Sequence, residues 1–297
     1  MSRGVKHPKT KAKTLCSLSL RICLIDTNPT IAMNVRRMLR NAFYAMRHMK
    51  FFFHEVQECD MLRESEYRKS SRTDVINRCA RLVNAKNYLE IGVRNPEDNF
   101  SKVQVKRKTS VDPGLEFEEN PVTHVLTSDE FFQLWNNKAM EPFDLIFIDG
   151  LHLAEQVSRD IQNAISMSTD SGIIILHDCN PPNQYFARED YLAINPAKGS
   201  WNGTTYKAAW EYAFTGKYEM RIVDCDMGVG VIQKSKSKVP GKNLNPYFEW
   251  NKFETIRRES GLLIDETGLE SWLNSNTKIN IDGFQSDVST LQEASTF

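Results

Sequence analysis

The chain lacks several features that would assign it to a class at once. Its six cysteines, at 16, 23, 59, 79, 179 and 225, form no CxxC pair and no tight cluster. Neither a zinc ribbon nor a disulfide framework is indicated, and a reduced, intracellular compartment fits. No uninterrupted apolar run approaches the ~20 residues a membrane-crossing helix needs, so a cytoplasmic chain without a transmembrane segment is expected. Glycine is sparse, 14 residues in 297, and no G-x-G-x-x-G follows any strand pattern. That absence argues against pyrophosphate seated on a helix N-terminus, and so against an NAD enzyme. There is no internal repeat and no net charge, with 38 basic against 38 acidic residues. No clear nucleic-acid site follows from such a balance.

Acids are also missing from the start, where the first is Asp26. Residues 1–72 carry nine more Lys and Arg than Asp and Glu, 15 against 6. This reads either as a basic arm touching an anionic surface or as a solvated leader. The opening MSRGVKHPKTKAKTLCSLSLRICL faintly resembles a transit peptide, but Arg21 interrupts its short apolar part, and targeting is not expected.

What is present is a globular composition, 40% hydrophobic and 26% charged. The stretch from Ile31 to Phe53 has helical composition. RTDVINRCARLVNA spaces its apolar residues on one helix face, with Thr73 or Ser71 to cap it. NYLEIGV then reads as a buried strand, VKRKTSVDP as a second and VTHVL as a third. TSDEFFQLW opens a helix with the T-x-x-E spacing of a capping box at Thr127 and Glu130. FDLIFID (143–149) is a fourth strand, backed by the helix LAEQVSRDIQNAISM, and SGIIILHD (171–178) a fifth. Pro181 and Pro182 forbid an immediate helix. GTTYKAAWEYAF resumes one with Thr204 as its cap, and RIVDCDMGVGVIQ reads as an antiparallel hairpin.

Alternation of this kind predicts an α/β fold: a Rossmann-like, mainly parallel seven-stranded sheet with helices on both faces and a terminal antiparallel hairpin. The expected organisation is a basic, partly helical extension over 1–70, the sheet domain over 71–235, and a C-terminal helix with a loose polar tail over 236–297.

Five strand ends carry polar groups: Glu90-Ile-Gly92, Asp112, Thr127-Ser128, Asp149 and His177-Asp178. In open α/β sheets ligands bind outside the carboxyl ends of parallel strands, so these residues outline a crevice. Gly92 would let backbone approach a ligand, and Asp112, about twenty residues on, is placed to accept ribose hydroxyls or simply to open an Asp-Pro turn.

YLEIGV, SVDP, FDLIFIDGLH, GIIILHDCNPP, WNGTTYKA and the DxDxGxG hairpin together resemble class I S-adenosylmethionine-dependent methyltransferases over roughly 72–233. More narrowly they are similar to small bacterial-type enzymes with EIGVRN and FIDGLH signatures. The resemblance implies methyl transfer to a small-molecule acceptor, at oxygen by preference. It implies Glu90 and Gly92 at the methionine end of the cofactor, with Val93 and Arg94 in the first loop. Asp112 would grip the ribose, Ser128 would lie beside the adenine, and Asp149 near the methyl. Asp149, His152, His177 and Asp178 are the candidates for deprotonating a hydroxyl acceptor. Trp201 and Asn202 belong to a segment that would cover the acceptor. Catechol-type relatives hold magnesium on a similar layout, which implies Asp149, Asp178 and Asn180 here, although Cys179 stands where that pattern has its second strand-five ligand. A catalytically degenerate cofactor-binding protein, or a nucleotide-sugar or NAD enzyme, stays open as an alternative, as does a homo-oligomer.

Overall fold

The computed structural model describes residues 29–116, 121–138, 141–236 and 249–275. The chain divides into two compact units, one up to Phe52 and one from Phe53 onward. In the first, the described residues are the opening part of a long helix, α1 (Pro29–Tyr67). Its side chains from Met33 to Phe52 are exposed.

The second unit is built on a sheet. Helix α2 (Arg72–Leu82) starts on a reciprocal capping box: Ser71 accepts from the Asp74 backbone, and Asp74 accepts from the Ser71 N–H at 3.0 Å. Its apolar face, Val75, Ile76, Cys79 and Ala80, is buried. The strands are β1 (Asn87–Ile91), β2 (Arg107–Val111), β3 (Phe143–Ile148) and β4 (Ser168–Leu176). Three more follow: β5 (Tyr218–Val223), β6 (Val229–Lys236) and β7 (Leu263–Ile264). Helices α3 (Ser128–Lys138), α4 (Ala154–Met167), α5 (Thr205–Thr215) and α6 (Trp250–Glu259) complete it.

The sheet order is β2-β1-β3-β4-β6-β5-β7. All pairings are parallel except the two that β6 makes, with β4 and β5. The central strands are buried on both faces, as continuous apolar runs such as Ile173–Leu176 require in a covered parallel sheet. Ile146, Ile174, Trp210 and Phe253 lie in the core under α3–α6. Phe147, Ile175, Ile76 and Leu269 form the core of the other face, under α2. Burying each such side chain contributes about 1.5–3 kcal/mol.

Three expectations change. VTHVL is no strand: it meets the sheet at a single parallel bridge, His124 to Val111. The seventh strand is instead β7, from the C-terminal segment, paired parallel to β5. Thr204 does not cap its own helix; its hydroxyl accepts from the backbone N–H of Ala154 at 2.8 Å and so caps α4. The expected tail beyond residue 275 and the whole stretch before Pro29 lie outside the described residues.

Candidate active site

Four parallel strands deliver their C-terminal ends to one edge of the sheet. Glu90 lies at the end of β1, Asp112 just after β2, Asp149 just after β3, and His177 and Asp178 just after β4. Backbone hydrogen bonds stitch these ends together: Gly92 N–H donates to Val111 at 2.8 Å, Asp149 to Ile91 at 2.9 Å, and His177 to Ile148 at 3.1 Å. Gly92 has φ +88°, and a Cβ there would fall 2.2 Å from the Asp149 carbonyl oxygen. The close approach that demands glycine is therefore to the neighbouring strand end, and it brings β1 and β3 together beneath the site.

Asp149 is the centre of the cluster. Its Oδ1 is 3.2 Å from His177 Nδ1 and 3.3 Å from His152 Nε2, and its Oδ2 is 3.4 Å from Arg72. Asp178 faces both histidines, at 3.1 Å from His152 Nδ1 and 3.4 Å from His177 Nδ1, and accepts from Asn202 Nδ2 at 2.7 Å. The hairpin between β5 and β6 adds Asp226, 3.4 Å from His177 Nε2 and 2.8 Å from the Arg72 backbone N–H. Three carboxylates thus face three cationic partners. Burial would raise the Asp149 carboxyl, but the charges of His177 and Arg72 hold it well below the usual range. Burial would lower His177, yet Asp178 and Asp149 keep it well above an ordinary histidine. Asp226, also buried, is drawn down to about 2 by the hydrogen bond and charge of His177. His177 is wedged among three carboxylates, which favour its protonated form against the Arg72 guanidinium 3.1 Å from its ring nitrogens, with only 7% of its side chain exposed.

His152 differs. Its side chain is 21% exposed and stacks on Trp201, ring centroids 5.1 Å apart. Its value is raised too, burial being outweighed by Asp178 and by the hydrogen bond to Asp149. Nδ1 faces two acceptors, Asp178 and the Trp201 carbonyl at 3.2 Å. Nε2 meets the Asp149 carboxylate at 3.3 Å, so both ring nitrogens face acceptors and the protonated ring is favoured; in the neutral ring a proton on Nδ1 satisfies two of them. The 201–204 segment is fastened here: Thr204 N–H donates to the His152 carbonyl at 2.8 Å, and Trp201 Nε1 donates to Arg188 O at 2.7 Å.

The remaining residues named from the sequence sit as follows. The Glu90 carboxylate accepts from Tyr88 at 2.6 Å and Asn99 at 2.9 Å, and burial pushes it up to about 7. Asp112 Oδ1 accepts from Gly114 N–H at 2.7 Å, fixing the turn after β2. Val93 is buried, and Arg94 turns to Asp98 at 3.3 Å on the surface. Ser128 accepts from Gln156 at 3.0 Å. Asn180 is not gathered with Asp149 and Asp178: it donates to Asp224 at 3.0 Å and accepts from Arg257 at 3.4 Å. Ligand atoms of Asp149, His152 and Asp178 do lie within 4.8 Å of one another. That set offers one nitrogen and two carboxylates rather than the oxygen shell magnesium prefers, and Arg72 and His177 already neutralise Asp149. The residues do not fit a magnesium centre. Arg72 and Asp226 were not legible as site residues; their only sequence trace is a helix start and the second acid of the DxDxGxG hairpin.

A profile described as a methyltransferase domain matches residues 12–179. No curated protein matches the chain. Similar solved structures include an O-methyltransferase from Bacillus cereus in complex with SAH, 14% identical over 61% of this chain and 91% of that one, TM-score 0.37. The O-methyltransferase TomG from Streptomyces achromogenes, in complex with SAM, is 12% identical over 60% and 88%, TM-score 0.39. The SAH-bound Podospora anserina methyltransferase PaMTH1 is 17% identical over 60% and 86%, TM-score 0.38.

Proposed function

We propose, from the premise that this chain belongs to the methyltransferase domain family, that it moves a methyl group from S-adenosylmethionine to an oxygen of a small-molecule acceptor. The observation that carries the reading is His152, a largely buried imidazole held between two carboxylates just past β3 and stacked on Trp201.

When bound, S-adenosylmethionine supplies an electrophilic methyl on a sulfonium, and in-line displacement leaves a neutral thioether. A sulfonium is cationic, and the edge offers the carboxylates of Glu90 and Asp112 to such a group, with Asp149, paired to Arg72 and His177, near the methyl. Asp112, half-buried beyond β2, accepts the ribose hydroxyls in this reading. Ser128 lies toward the adenine.

A hydroxyl acceptor has to lose its proton as its oxygen attacks. His152 takes that proton at Nε2 as the acceptor hydroxyl replaces the 3.3 Å contact of that nitrogen with Asp149, while Asp178 and the Trp201 carbonyl hold Nδ1–H and fix the ring. The new imidazolium then sits between Asp149 and Asp178, where two negative charges stabilise it. Trp201 gives the acceptor a flat apolar wall and keeps water from it. His177 and Arg72 serve as fixed counter-charges that hold Asp149 ionised and oriented.

Isothermal calorimetry against S-adenosylmethionine, S-adenosylhomocysteine and NAD, followed by turnover on a panel of phenolic and alcoholic acceptors, tests this. The expected result is binding of the first two, with Asp112→Ala weakening both by about 1–3 kcal/mol through lost hydrogen bonds. Binding of NAD alone ends the reading. Tight cofactor binding with no transfer to any hydroxyl leaves the degenerate alternative in its place.

A further inference from the structure

Helix α1 changes character along its length. Between Pro29 and His54 it has no acid, yet it carries Arg36, Arg37, Arg40, Arg47 and Lys50; from Glu55 to Tyr67 it holds five acids and one base, Arg63. At 3.6 residues per turn, Val35, Met38, Leu39, Met46 and Met49, with Ala42 and Ala45 between them, fall within about 120° of the helix circumference. Arg36, Arg40 and Arg47 share a narrow strip on the far side, flanked by Arg37 and Lys50. Among the described residues nothing covers the apolar stripe: Val35 is 38% exposed and Met38 64%, with Leu39, Met46 and Met49 between them. None of these five enters a hydrophobic cluster among the described residues.

We propose that this stretch of α1 lies flat on an anionic lipid surface. A helix with an exposed apolar stripe gains little from its own backbone, so something apolar has to cover that stripe. The charge pattern selects what does. A second copy of the helix would bring five more bases against five, with no acid on either side to pair with, and like charges at such spacing repel. A bilayer with acidic headgroups takes the Met and Leu side chains into the acyl boundary while the arginines, through their aliphatic stems, reach the phosphates. Phe43, Tyr44 and Phe51, which stand near the bases, sit at the headgroup level where aromatic rings are favoured. The helix lies on the surface and does not cross it: no helix of the described residues is long and apolar enough to span a membrane. The inference rests on α1 alone and is independent of the methyl-transfer reading.

Sedimentation of the full-length protein with phosphatidylcholine vesicles, with and without phosphatidylserine, tests it. The protein is expected to pellet with the anionic vesicles only, and less as salt is raised. The triple charge reversal R36E/R40E/R47E lowers the bound fraction at least tenfold, and so does Met38→Asp with Met46→Asp, while far-UV circular dichroism and S-adenosylmethionine binding by the sheet domain stay unchanged. Equal pelleting of parent and charge-reversed protein overturns the proposal, as does failure of the parent to pellet at all. A dimer by light scattering that Met38→Asp dissolves, in a protein that ignores lipid, overturns it in favour of a second copy.

Discussion

Two histidines of similar surroundings part ways at the scale of single residues. His177 is clamped by Asp149, Asp178 and Asp226, whose charges favour its protonated form, whereas His152 is the more exposed ring and its Nε2 meets only Asp149. His152→Gln keeps hydrogen bonding but cannot take a proton. It is expected to lower kcat by about 10²–10⁴-fold with cofactor affinity intact. Because a base acts unprotonated and His152 is raised, kcat/KM of the parent climbs with pH through a midpoint above 6.5, the ordinary histidine value. A variant that retains this limb assigns the base elsewhere. Glu90 gives a stability test. Its folded value is lifted to about 7 from 4.5, so the native state binds a proton that the unfolded chain has released. Stability therefore falls as pH rises between those values, by about 3 kcal/mol in all. Glu90→Gln should be the more stable protein in urea at pH 8 and should lose that advantage near pH 4.5; equal midpoints at pH 8 would remove the burial argument. Asp149, His152, His177 and Asp178 were readable from the sequence because each stands beside an apolar strand. Arg72 and Asp226 were not, since they reach His177 and each other only by folding, the Arg72 backbone meeting Asp226 from 154 residues away.

Elements whose logic is local matched their sequence signals. The Ser71–Asp74 and Thr127–Glu130 capping boxes are set by side chains three residues apart and need nothing from the rest of the fold. Elements that depend on a partner did not. VTHVL alternates half-buried and exposed residues as a strand would, yet it crosses the β2 edge with one bridge, because pairing is decided by neighbours and not by alternation. Thr204 illustrates the same point for caps. Its spacing to α5 is right, but the hydroxyl is buried and turned toward α4, whose own N-cap residue Leu153 has no side-chain oxygen. One hydroxyl thus ties the 201–204 segment beside His152 to the helix that follows β3. Thr204→Val keeps the shape and strands the Ala154 N–H, at a cost of about 1–2 kcal/mol in urea unfolding. It should also loosen Trp201 over the site and raise KM for the acceptor. Unchanged stability would show that water or backbone replaces the cap.

For the whole molecule the parallel order and the hairpin were legible, while the outer boundary of the fold was not. The sheet has seven strands, but the last comes from Leu263–Ile264, in the segment expected as a C-terminal helix; that helix ends at Glu259 and the chain turns back to the sheet. A two-residue strand has no periodicity to read, and its partner β5 lies some forty residues upstream. Its neighbours show how firmly it belongs. Phe253 packs against Tyr206 and Trp210 at ring-centroid distances of 4.7 and 5.3 Å, in the core beneath α4 and α5. Leu262 joins the same core, and Leu269 and Leu273, from the helical residues 266–275, enter the core of the opposite face. Four fully buried apolar side chains represent about 6–12 kcal/mol of burial, an amount comparable with the total stability of an ordinary domain. Without them β5 also becomes an unpaired edge. A chain ending at residue 248 is therefore expected to lose cooperative thermal unfolding and its near-ultraviolet dichroism, or to aggregate. A truncated protein that melts within roughly 5 °C of the parent, a shift of only about 1–2 kcal/mol in a chain of this size, would instead make the segment a dispensable strap and confine the folded unit to residues before it.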